Sequence, residues 1–231
     1  MTVLFVISVI SMNLLANKSI SLPVSWLAVD CGLVSSWFSF LIMDIVTRHF
    51  GPKAATELSV IAVFFNLVTC LIFFAGSIIP GTWGESYVPG SEEIINTALD
   101  NTFRGTWFVL LGSTTAFLVS ALVNNFSNWA IGRILKDSND RFLTYAVRSY
   151  LSTALAQFVD NMVFALIVSH TFFGWSLIQC ITCALTGMLV ETLCEVLFSG
   201  FGFRILCRMR DDNVGEEYLE YRSKTGNLEI E

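Results

Sequence analysis

Residues 58–79 read LSVIAVFFNLVTCLIFFAGSII, Leu58 to Ile79, 22 positions without a charged side chain. A helix of about 20 mostly apolar residues is what the hydrocarbon core of a bilayer requires, because backbone N–H and C=O groups in lipid must be satisfied within the segment itself. Working outward from this run, five more apolar stretches appear: Val3–Asn17, Cys31–Thr47, Gly105–Ile131, Ser149–Phe173 and Trp175–Phe203. Polar breaks separate them. Lys18, Pro23 and Asp30 follow the first, Arg48 to Lys53 follow the second, and Arg133 and Lys136 follow the fourth. A Gly-rich stretch from Pro80 to Phe103, with Glu85, Glu92, Glu93 and Asp100, reads as a long loop. Composition agrees: 54% of the 231 residues are hydrophobic, 14% are charged, and the mean hydropathy is +0.66. A soluble surface usually needs about a quarter of its residues charged. The sequence therefore predicts an all-α polytopic membrane protein, a bundle of six transmembrane helices over residues 1–210. Met1 to Ala16 lacks a basic leader and a small-residue cleavage site, so it reads as a retained first helix.

Orientation follows from Lys and Arg, which concentrate in cytoplasmic loops. With the N-terminus inside, eleven of them fall on the cytoplasmic side, from Arg48 and Lys53 to Arg222 and Lys224. Only Lys18 and Arg104 fall outside. Both termini are then cytoplasmic, and the expected location is the cytoplasmic (inner) membrane. The formal net charge of −6 is concentrated in Asp211–Glu231, where seven acidic residues stand against two basic ones. That segment is expected to be a cytoplasmic, partly disordered tail. The remaining 210 residues are nearly neutral, which excludes a basic nucleic-acid face.

Several chemistries have no footing here. Cys180 and Cys183 form a CxxC pair, but no second pair or His cluster completes a zinc site, and thiols in apolar runs pack as small hydrophobes. No P-loop pattern occurs. The two histidines, His49 and His170, fall at predicted span ends on opposite sides of the membrane, so no intramembrane catalytic pair forms. The expectation is a non-enzyme with no metal and no cofactor.

Ionisable groups at membrane depth are costly and usually face a bundle interior. Gln157, Asp160 and Asn161 sit at i, i+3 and i+4, with Thr153 one turn earlier, on one face of the fifth stretch. They suit either a polar cavity or a helix-packing network. Glu191 and Glu195 also share a face, where like charges repel, so one would be protonated, paired with a basic group or met by a cationic ligand. Asp44 stands four residues before Arg48, as a ligand contact or an interfacial ion pair. Asn124 and Asn128 share a face of the fourth stretch and read as helix-packing residues. Asn17 ends the first stretch, where it could line an outer entrance.

These residues carry a family resemblance. Phe38-Ser-Phe-Leu-Ile-Met-Asp44-Ile-Val-Thr-Arg48-His-Phe-Gly51 resembles the "F…D…R.FG" segment of the queuosine-precursor transporter family, also described as a vitamin uptake transporter family. Arg148-Ser-Tyr-Leu-Ser152, continuing to Gln157, Asp160, Asn161 and Phe164, is similar to its "R…S…D…F" helix, and Asn17 before Pro23 fits its first loop. The resemblance runs from about Asn17 to about Glu195. It implies import of 7-deazaguanine bases, the cyano and aminomethyl precursors of queuosine. It also implies Asn17, Asp44, Arg48, Gln157, Asp160 and Asn161 as substrate-binding positions. Glu191 and Glu195 join them as acidic groups able to meet an aminomethyl cation. One departure stands out: this chain has Glu195 where the family carries a lysine, and no proline ends its last helix. The expected partners are a guanine-like base and the lipid bilayer, with a second copy of the chain or an energising subunit as protein partners. The alternative reading is a substrate-binding membrane subunit for another vitamin or nucleobase, dependent on such an energising subunit.

Overall fold

The computed structural model describes residues 1–84, 89–134 and 142–224. The protein is helical, with no strand among the described residues. Helix α1 spans Thr2–Leu15, α2 Leu33–Phe50, α3 Pro52–Ile78 and α4 Glu92–Ile134. Helix α5 (Phe142–Phe164) runs through a π-helical turn at Ala165–Ser169 into α6 (His170–Phe173), and α7 (Leu177–Asp211) and α8 (Glu216–Lys224) follow. Each apolar stretch lies in one long helix or helical run. Among the described residues, three segments are long and apolar enough to cross a membrane: Lys53–Ile78, Thr153–Phe173 and Leu177–Phe198. Thr2–Leu15 and Leu33–Thr47 are shorter apolar helices.

The helices close into a ring. α1 packs on α2 and α3, α3 on α4, α4 on α5, α5 on α7, and α7 back on α2. Apolar clusters pack between the helices. Phe5, Ile42, Val46, Ala55, Leu58 and Ala62 form one, where α1, α2 and α3 meet. Ala28, Ala165, Trp175, Cys180 and Cys183 form a second, and Ala16, Val109 and Val168 a third. Gly112 admits α5 closely, since a Cβ there would overlap the Val168 side chain of the π-helical turn.

The ends of elements differ from expectation in two places, each for a local reason. α1 has 14 residues, about 21 Å at 1.5 Å per residue and short of a full crossing. Its continuation, Ala16–Gly32, folds back on itself instead. Ser19 and Asp30 bridge antiparallel, with Ile20 N donating to Val29 O and Cys31 N to Lys18 O, both at 2.8 Å. α7 holds this connector through Gln179 Nε2 to Ser25 O (3.0 Å) and Thr182 Oγ1 to Trp26 O (2.8 Å). A Ser176–Gln179 capping box starts α7 immediately beside these contacts.

Second, the stretch read as a loop to Phe103 is helical from Glu92, where two glutamates in the first turn complement the helix dipole. Trp83 braces that extension, its N–H groups donating to Asn96 Oδ1 and Asp100 Oδ1 and its ring stacking on Phe103. Past α7, the described part of the acidic tail runs to Lys224. Asn213 and Gly215 adopt positive φ to turn the chain, and α8 docks on the α2–α3 corner. There Tyr218 packs edge-on against Phe50 and donates to Glu57 Oε2, and the His49 ring bonds Val214 O.

Candidate substrate site

A cavity of about 370 Å³ lies inside the ring, and all six long helices line it. Its volume falls in the range of small-molecule sites, about 300–1,000 Å³. Much of the lining is apolar, with Phe5, Val9, Met12, Phe40, Leu110, Phe117 and Phe164. The polar groups converge on it from every side.

α5 and α7 supply most of the sequence-predicted residues. Helical spacing sets Gln157, Asp160 and Asn161 on the cavity face of α5, and all three line it. Glu191 faces them from α7, only 3% exposed. Asn161 Nδ2 donates to Glu191 Oε2 (3.0 Å) and to Gln157 O (2.9 Å), and Ser36 Oγ of α2 donates to Glu191 Oε1 (2.7 Å). Asp160 Oδ1 accepts from Ser120 Oγ of α4 (3.0 Å), and Gln157 Oε1 accepts from Thr192 Oγ1 (3.0 Å). Gly187 makes room for this: a Cβ there would stand 2.8–3.0 Å from the Asn161 amide.

These bonds orient the carboxylates without neutralising them. No Lys, Arg or His occurs among the described residues lining the cavity. A carboxylate withdrawn from water without a counter-charge is expensive, so the site favours a ligand rich in N–H donors. Adjacent N–H groups presented to a carboxylate form paired, charge-assisted hydrogen bonds, strengthened by a low dielectric.

The other sequence-predicted residues sit differently. Asn17 does not line the cavity. It lies just past the end of α1, and its amide folds back to donate to Leu14 O (3.1 Å) and Asn13 O (3.4 Å). Asn13, one turn earlier, lines the cavity instead. Asp44 and Arg48 belong to α2 and Glu195 to α7, but their side chains lie outside the described residues.

Sequence reasoning passed over several contributors. Asp30 lines the cavity from the connector, its Oδ1 accepting from Gly32 N (2.7 Å), and burial pushes its carboxyl up to about 6 against the opposing effect of that bond. A side chain at residue 32 would collide with Asp30 Oδ1 and Met12 O, so glycine permits this tight turn. Asn66 and Ser120 were hidden in apolar runs, and Ser36 in a Ser-rich face of α2. A serine or asparagine in such a run is the one signal that could have found them.

Residues 30–205 match the family described as "Putative vitamin uptake transporter". A 125-residue stretch is 30% identical to a protein of Bacillus subtilis (strain 168) named "Probable queuosine precursor transporter". That stretch covers 54% of this chain and 49% of the Bacillus protein, so the match spans about half the length of this relative. No solved structure matches. The family match takes in everything from Asp30 to the later part of α7, and with it the whole carboxylate side of the cavity. The chain belongs to the putative vitamin uptake transporter family, a family of membrane transporters.

Proposed function

We propose that this protein imports queuosine precursors, 7-deazaguanine bases in the cyano or aminomethyl form, across the cytoplasmic membrane. In this reading six helices span the bilayer, the short α1 with the membrane thinned locally around it, both termini are cytoplasmic, and the cavity inside the ring is the substrate site. The observation that carries it is the constellation of Asp160, Glu191, Asn161 and Gln157 around one buried cavity in a chain of this family. The name of the Bacillus relative supports the substrate class. A guanine-like base offers N1–H and a 2-amino group side by side, a match for the acceptors of Asp160 or Glu191. An aminomethyl cation would place a positive charge among three carboxylates, those of Asp30, Asp160 and Glu191.

The test is uptake of radiolabelled 7-deazaguanine precursors into cells lacking their own synthesis and import. Saturable uptake by the wild type, abolished in Asp160→Ala with the protein still in the membrane, is the expected result. Absence of uptake from well-expressed wild type would reject the substrate. Purified protein alone in vesicles separates an autonomous carrier, which takes up substrate, from a capture subunit, which binds it without uptake.

A further inference from the structure

The cavity has two walls of opposite character. On α5 and α7 the acceptors of Asp160, Glu191 and Gln157 are each held by a donor. On α1 and α3, Asn13 and Asn66 are 2% and 1% exposed, and neither Nδ2 has a hydrogen-bond partner among the described residues. Both line the same cavity from helices that pack together. A buried amide N–H without an acceptor costs about 1–3 kcal/mol. Their neighbours in α1 and α3 are overwhelmingly apolar, and a leucine at either place would pack without that cost. Gln157 adds a third such nitrogen, because Thr192 occupies its oxygen and leaves Nε2 unpartnered.

We propose that Asn13 and Asn66 form a donor subsite that takes a hydrogen-bond acceptor of the substrate, a carbonyl oxygen, while the α5–α7 wall takes its N–H groups. This rests on the reading of the cavity as the import site and sharpens the substrate class. The ligand is a heterocyclic lactam with both donor and acceptor edges. A simple amine or metal cation would satisfy the carboxylates and leave both asparagines orphaned. Asn13 lies before the family-matched segment, and Asn66 sits in the most apolar of the three candidate membrane spans among the described residues.

Binding to purified protein tests this whether or not transport needs a partner. The probe pair is 7-deazaguanine and 7-deaza-6-thioguanine, which keeps the N–H edge and replaces the lactam oxygen by sulfur, a weak acceptor. Wild type should prefer the oxo compound by about tenfold, the worth of one buried hydrogen bond. Asn13→Leu and Asn66→Leu should weaken oxo binding by about that factor, leave thio binding within about twofold, and so erase the preference. Asn17→Leu should keep the preference. Asn13→Ser and Asn66→Ser are read the same way if the leucine variants fail to fold. Variants that weaken both compounds equally, or neither, overturn the donor subsite alone. Wild type that binds neither compound overturns the cavity reading as well.

Discussion

α3 and the α5–α6 segment Thr153–Phe173 each bury 22% of their apolar stretch, yet their polar groups live differently. Asn66, deep in α3, has an unpartnered amide, and the rest of that helix turns Val60, Ile61, Phe64, Phe65 and Leu67 outward, as a lipid-facing helix does. In α5, Asp160 Oδ1, Gln157 Oε1 and Asn161 Nδ2 are tied across to α4 and α7 before any ligand arrives, while Gln157 Nε2 is left over. Equal burial thus hides two kinds of wall. One is prewired by protein hydrogen bonds and holds its geometry, and the other keeps its donor free for what enters.

Substitutions can break or sharpen that contrast. The largest effect is expected from Asp160→Ala, with uptake lowered about a hundredfold or more. It removes charge-assisted bonds worth about 1.5–3 kcal/mol each. Next comes Gly187→Ala, whose methyl group would push Asn161 off Glu191. Uptake should fall about tenfold at normal membrane abundance. Adding Asn161→Ala to Gly187→Ala should cost little more, because both changes break one bond. Full additivity in that double-mutant cycle would show that Gly187 acts elsewhere.

Ser36→Ala removes one of two donors to Glu191 and should raise KM about fivefold, near 1 kcal/mol. An unchanged KM would mean that Glu191 needs no orientation from α2. Asp30 tests pH. Its carboxyl is raised to about 6 from 3.8, so its charged form is the less stable one in the folded protein. The resulting penalty is absent below about pH 4, grows through pH 4–6 and is fully present above. Thermal unfolding in detergent should therefore show Asp30→Asn gaining over wild type as pH rises from 4 to 7. A constant difference would remove the effect. The smallest change is expected from Ile61→Val on the outer face of α3, within about twofold of wild-type uptake. A loss there matching that of Ser36→Ala would collapse the distinction between the two helices.

The long apolar helices and the Gln157–Asp160–Asn161 face were legible in the sequence because both are local properties, one of hydropathy and the other of 3.6-residue periodicity. The family segments around Asp44 and Gln157 were legible for the same reason. The tertiary structure decided the rest. α1 and α3 are apolar nearly all round, so no periodicity shows which face turns inward, and only packing placed Asn13 and Asn66 on the cavity. Asn17 shares its spacing with Asn13, but the helix stops at Leu15 and the side chain bonds the helix end instead. The partners of Glu191 stand 155 and 30 residues away, on α2 and α5, and Asp160 finds Ser120 across 40. Asp30 reaches the site because the connector folds back rather than extending α1. Hydropathy shows that a segment belongs in lipid. Which of its polar atoms meet is settled by how the six long helices close into a ring.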